Sequence, residues 1–236
     1  MENMTKTDFT PIIIAKKAAG ETAADLIKDG MLVGLGTGST ASFFIEALGK
    51  KCREERLQIT AVATSMQSTR QAKAAGIPLL DDNQIVTLDL TVDGADEIDP
   101  HKNMIKGGGG ALLREKILAK SSHEMVVIVD ETKLVDHLGS FPVPVEIAIF
   151  SYRSTLNRLI ENGYDGKMRH NRDQSLHVTD SGHYIIDIQF QEPILDPALE
   201  SRQLKEIPGV LETGLFFNIA GRVIVGYEDG FAKINM

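Results

Sequence analysis

The order of apolar runs and helical stretches predicts an α/β fold. It should be a doubly wound parallel sheet, with a small α+β domain of ferredoxin-like type inserted before the chain returns to the sheet. Three observations carry this. Met125–Val129 is continuously apolar, as in a strand covered on both faces. Short strands alternate with helices up to that point. After Pro142 and Pro144 the alternation stops, and two helices lie among shorter strand-like pieces.

Thr10 and Pro11 start a helix with a cap and a first-turn proline, and Gly30 ends it. Met31–Leu35 reads as a buried strand, Ser39–Lys50 as a helix and Ile59–Ala63 as a second strand. Ser65–Ala75 is a helix stopped by Gly76. Ile85–Val92 is a third strand, and Ala111–Lys120 is helical. In the second domain Ser151–Glu161 and Asp196–Glu206 are helices. Leu176–Val178 and Tyr184–Phe190 are strands joined by a turn at Asp180–Gly182, and Val210–Phe217 is extended. Val223–Ile234 rejoins the first domain. The expected division is 1–145 with 218–236 for the α/β domain and 146–217 for the small one.

The 236 residues are 42% hydrophobic and 25% charged, ordinary for a globular chain. A net charge of −8 argues against an extended nucleic-acid surface, yet local lysines can still attract a small anion. The single cysteine, Cys52, allows no intrachain disulfide and suits a cytoplasmic setting. The opening MENMTKTDFT lacks a basic-then-apolar signal pattern, and Pro11–Ala15 is too short to span a bilayer, so no membrane partner is expected.

Chemistry concentrates in VDGADEIDPHKNMIKGGGGALLREK, Val92 to Lys116. Four successive glycines destabilise a fold unless bare backbone has a use, such as turning N–H groups toward an anion. At about 100° per residue, Glu115 shares an arc with Ala111, Leu112, Leu118 and Ala119. Desolvation on an apolar face raises a carboxylate toward the range of a general base. A rim position with the head in water is the plainer reading, and Lys106 with the glycines tips the balance away from it. Lys106 can face a developing oxyanion. Lys133 also follows a strand end and can point to the same region.

GLGTGST, Gly34 to Thr40, follows a strand and opens a helix, which suits a phosphate on backbone N–H groups and on the hydroxyls of Thr37, Ser39 and Thr40. No Gly-Lys-Ser/Thr follows, so it is not a P-loop. The third glycine of a dinucleotide fingerprint is missing, and the second strand ends in Ala63, Thr64 and Ser65 without the acidic ribose ligand, so NAD is disfavoured. Asp93 and Asp96 lie just past a strand end and can share a proton or orient sugar hydroxyls; turn-capping is the plainer role. Asp93, Asp96, Glu97 and Asp99 lack EF-hand spacing, no histidine pair lies near, and no metal is expected.

Taken together, GLGTGST, DGADEID and KGGGGALLREK, in this order and spacing, resemble the ribose-5-phosphate isomerase A family. The resemblance extends over nearly the whole chain, through VDETKLVDHLG, FPVPVEI and PGVLETGLF. It implies a Rossmann-like domain with a small α+β domain, and a metal-free, cofactor-free interconversion of ribose 5-phosphate and ribulose 5-phosphate. It implies Glu115 as base, with Lys106, Asp93 and Asp96 as catalytic partners. Substrate contacts would come from Thr37, Gly38, Ser39, Thr40, Asp93, Gly94, Ala95, Asp96, Lys106, Gly107, Gly108, Gly109 and Lys133. One N-terminal lysine, Lys16 or Lys17, would join them. The resemblance further implies a pentose 5-phosphate as the partner and a homodimer or homotetramer as the assembly. A sugar-phosphate sensor would keep the anion turns without needing Glu115, and a CoA-transferase-like enzyme would need its glutamate in another context.

Overall fold

The computed structural model describes residues 10–81, 84 and 87–235. These residues divide into two compact units. The first comprises the described residues up to Gly94, Ser121–Thr132 and those from Gly221 onward; the second comprises Ala95–Lys120 and Lys133–Ala220.

In the first unit, helix α1 spans Pro11–Ala24. Pro11 supplies the preset φ of the first turn, while the Thr10 side chain makes no capping bond. Strand β1 is Leu32–Leu35, helix α2 Ser39–Glu54, β2 Thr60–Ala63, α3 Met66–Ala74 and β3 Leu90–Asp93. Ser65 caps α3 by accepting from Ser68 N–H. Leu90–Asp93 is shorter than the strand expected from Ile85. Ile85 and Val86 lie outside the described residues, and Asp89 breaks the run by accepting Leu32 N–H at 2.7 Å.

β1 pairs in parallel with both β2 and β3. The sheet therefore winds outward in both directions from β1, and the β1/β3 crevice is its switch point. Val33, Leu35, Val92, Val126 and Ile128 of the sheet pack with Phe44, Ile45 and Leu48 of α2 in one core. Each such side chain contributes about 1.5–3 kcal/mol on burial.

In the second unit, β4 (Glu97–Ile98) and β5 (Met104–Ile105) form a hairpin, and helix α4 (Leu112–Lys120) follows the glycines. In the first unit β6, Met125–Asp130, lies beside β3 in parallel and is buried throughout. The second unit then continues with β7 (Val143–Ile147), α5 (Tyr152–Glu161), β8 (Asp165–Met168), β9 (Tyr184–Gln189), α6 (Pro197–Lys205) and β10 (Val210–Thr213). Its sheet has the order β10-β7-β9-β8 and is antiparallel throughout. With the chain order βαββαβ, this is the ferredoxin-like arrangement. The short β11, Leu215–Phe216, pairs with β5. Finally β12 (Ala220–Gly226) and β13 (Ala232–Asn235) complete the first sheet, in the order β13-β12-β6-β3-β1-β2.

The unit boundaries differ from the expected division, since 95–120 and 133–145 group with the second unit. The reason is strand pairing. β4 and β5 pair with β11, and Val143 and Val145 are core residues of the antiparallel sheet. β7 was masked in the sequence by its prolines. Pro144 is tolerated because its carbonyl receives Gly214 N–H just past the end of β10, and the donor it lacks would point the same way. Leu176–Val178 is not a strand. Leu176 makes one bridge to His170, and Val178 is half exposed.

Candidate active site

The first unit places one group of the anticipated residues at its switch point. Gly36 must approach β3 closely: a Cβ there would fall 2.1 Å from Asp93 Oδ1. The bare backbone lets Gly36 N–H reach Val92 O at 2.9 Å, and Thr37 N–H then donates to Asp93 Oδ1 at 3.0 Å. Asp93 is fully buried and also accepts Gly94 N–H at 2.8 Å, so it fastens the turn to the strand end. Gly38 has φ of 109°, and no side chain caps the start of α2. Backbone donors at an uncapped helix start suit an anion.

Residues that sequence reasoning passed over hold this turn from beneath. Thr37 Oγ1 lies 2.6 Å from Thr64 Oγ1, and Ser68 Oγ donates to Gly36 O at 2.6 Å. The two lysine candidates separate here. Lys16 Nζ donates to Ser39 Oγ at 3.0 Å and lies 3.9 Å from the buried Asp130 carboxylate. Lys17 instead pairs with Glu21 on the same helix. Asp130 ends β6 much as Asp93 ends β3, and that position past a strand was the signal available for it.

A second group lies in the second unit. Glu115 and Lys106 are 3% and 2% exposed, and Lys106 Nζ stands 3.3 Å from Glu115 Oε2. Glu115 is buried together with Leu112, Leu118 and Ala119, the arc its spacing predicts. Gly107 adopts φ of 101°, open to glycine at little cost. Asp96 braces the run by accepting Gly108 N–H at 2.8 Å, and a Cβ on Gly108 would sit 2.7 Å from its Oδ1. Arg169, not anticipated, donates to Gly107 O at 2.8 Å and to Gly108 O at 3.3 Å while its other nitrogens grip Asp187.

Each anticipated carboxylate therefore commits one oxygen to backbone, Asp93 in the first turn and Asp96 in the second. Glu97 is committed as well, to Gly139 and Phe141 N–H. Lys133 is half-buried in the short 3-10 turn Glu131–Lys133 and makes no ion pair among the described residues. No cluster of three or more His, Cys, Asp or Glu side chains placed to hold a metal occurs among the described residues. No described helix is long and apolar enough to cross a membrane.

The first unit thus offers backbone donors that suit an anion at its switch point, and the second, by itself, a buried carboxylate–ammonium pair beside a glycine run, groups of the kind an acid–base enzyme uses. Residues 60–230 match the family model for ribose 5-phosphate isomerase A (phosphoriboisomerase A). The chain is 58% identical over 231 residues to the ribose-5-phosphate isomerase A of Protochlamydia amoebophila, covering 98% of this chain and 99% of that one. The structure of ribose 5-phosphate isomerase A from Methanocaldococcus jannaschii superposes with a TM-score of 0.87 at 38% identity, over 93% of this chain and 97% of that one. A D-ribose-5-phosphate isomerase solved in complex with phospho-erythronic acid gives 0.88 at 39% identity, over 93% and 96%. This chain belongs to the ribose 5-phosphate isomerase A family.

Proposed function

We propose that the chain interconverts D-ribose 5-phosphate and D-ribulose 5-phosphate by acid–base catalysis, without a metal or an organic cofactor. The buried Glu115–Lys106 pair beside Gly107–Gly109 carries this reading. A sugar-phosphate sensor has no use for such a pair, because burying two charges costs stability that binding alone does not require.

In this reading Thr37, Gly38, Ser39 and Thr40 hold the phosphate, with Lys16 adding charge. Asp93 or Asp96 assists ring opening, and Gly94, Ala95 and Lys133 line the substrate. Glu115 removes the proton from C2. The charge that develops on the C1 oxygen is met by Lys106 and by N–H groups of the glycine run. Glu115 then returns the proton to C1 while the C2 hydroxyl proton passes to the C1 oxygen, giving the ketose. One base suffices because C1 and C2 adjoin, and the anchored phosphate fixes the geometry. Phospho-erythronic acid, the ligand of one related structure, supports this: it joins a phosphate to a carboxylate, two oxygens disposed much as in an enediolate.

The assembly is a homodimer or homotetramer in the cytoplasm. Phe150 and Leu195, 90% and 81% exposed on the second unit, are side chains that a subunit contact would cover. Sizing the purified protein tests this. The reaction is tested by following ribulose 5-phosphate formation with and without a chelator. Turnover that survives chelation is expected; loss restored by a divalent ion would assign Asp93 or Asp96 to a metal.

A further inference from the structure

Lys116 follows Glu115 on α4 and has no role in the mechanism above. Its ammonium donates to Glu212 Oε1 at 2.9 Å, Thr213 O at 2.6 Å and Leu215 O at 2.9 Å, which occupies all three of its protons. It also lies 4.5 Å from the centroid of the buried Phe216 ring, and Lys106 Nζ lies 5.4 Å from the same ring.

The two carbonyls that Lys116 holds flank Gly214. Gly214 O accepts the backbone N–H of Lys106 at 2.9 Å, and Gly214 N–H donates to Pro144 O at 2.6 Å. A Cβ on Gly214 would fall 2.3 Å from Lys106 O, so the 213–216 segment lies directly against the Lys106 backbone. Lys116 thus joins α4, which bears Glu115, to the segment that seats Lys106. Neighbouring residues on a helix point about 100° apart, so fixing Lys116 fixes the rotation of α4 and the direction of Glu115.

We propose that Lys116 is a positioning residue for the isomerase reaction, clamping α4 to the 213–216 segment so that the Glu115 carboxylate and the Lys106 ammonium keep their 3.3 Å spacing. The proposal rests on the isomerase reading. It gives the clamp a dependence on pH. Burial pulls the Lys116 ammonium down to about 8; the attraction of Glu212 on β10 offsets only part of this, and Lys205 on α6 and Lys120 on α4 add to the lowering. Arg202 of α6 lines the same open cleft of about 460 Å³. When Lys116 loses its proton it can serve only two of its three acceptors.

Steady-state kinetics with ribose 5-phosphate across neutral to alkaline pH test the clamp. Wild-type kcat is expected to fall as pH rises through about 8. Lys116→Met should lower kcat about 10- to 100-fold with KM changed by less than about threefold, as for a small misplacement of catalytic groups. Glu212→Gln removes the attraction that raises Lys116, so its alkaline limb should move to lower pH. Lys116→Arg, charged throughout, should recover part of kcat and flatten that limb. A folded Lys116→Met enzyme with wild-type kcat overturns the clamp, and so does a Glu212→Gln profile that does not shift. If Lys116→Met fails to fold, the Glu212→Gln profile still decides. A wild type without isomerase activity removes the reading itself, whereas an active wild type with unmoved variants removes only the clamp.

Discussion

The turn after β1 and the turn before α4 are both glycine-rich and both lead into a helix, yet their surroundings differ in kind. The first is built from hydroxyls and backbone fastened to one buried carboxylate, Asp93, with Lys16 reaching in from another helix. The second is flanked in sequence by two buried charges, Lys106 and Glu115, and braced by Asp96 and Arg169. Glycine alone marks only where backbone must come close. The charges around it decide whether the place binds or reacts. In the proposed mechanism the first turn should govern KM and the second kcat, and substitutions can break that division.

The largest effect belongs to Glu115→Gln. It keeps shape and removes the base, so kcat should fall by at least about 10² to 10⁴. Folding, followed by circular dichroism, and phosphate-ester binding, followed by calorimetry, should persist. A well-folded variant with near-wild-type turnover would defeat the assignment.

Lys106→Ala should come next, with kcat down by about 10² to 10³, the usual loss for one donor to a developing oxyanion. KM should change much less, because stabilisation confined to the transition state appears in kcat. If KM rises while kcat holds, Lys106 is a phosphate ligand and the division between the two turns collapses. Some destabilisation accompanies the change, since Glu115 would then be a buried carboxylate without its ammonium.

Gly36→Ala tests the other side. The new methyl would meet Asp93 at 2.1 Å from Oδ1 and 2.6 Å from its Cα, and the Cα cannot swing away. Overpacking of this kind costs about 1–3 kcal/mol. The displaced turn should raise KM about tenfold or more with kcat affected less. Thermal unfolding and kinetics on one preparation check both parts, and a kcat effect alone would contradict the binding role.

Much of this was legible in the sequence because it rests on local signals. Glycine at Gly36 and Gly38, apolar spacing around Glu115 and carboxylates past a strand end are each visible over a few residues. What was hidden depends on partners far along the chain. Pro144 concealed β7, because tolerance of a proline in a strand is decided by Gly214, seventy residues away. Thr64 reads as an ordinary strand end and Ser68 as one more helix residue, and only the β1–β2 pairing brings them beneath Thr37. That Lys16 reaches Ser39 while Lys17 turns to Glu21 depends on the rotation of α1 against α2.

The smallest expected effect is the most informative about how a glycine run is kept in shape. Arg169 sat in a polar stretch with no motif, yet its guanidinium ties the carbonyls of Gly107 and Gly108 to Asp187. Glycines resist ordering more than other residues, and the N–H groups of the run can face an oxyanion only if their carbonyls are held the other way. Arg169→Ala releases those carbonyls without touching Glu115 or Lys106. Half-exposed bonds to a charged donor are worth about 1.5–3 kcal/mol at most, and water replaces part of that. The variant should therefore lose about 3- to 30-fold in kcat/KM. Arg169→Lys should behave much like the alanine variant, because a point charge cannot serve both carbonyls and both oxygens of Asp187 in one plane. If the lysine variant is fully active, charge alone steadies the run. If both variants are fully active, the glycine turn holds its shape through Asp96 and its own backbone, and the second turn needs no more outside bracing than the first.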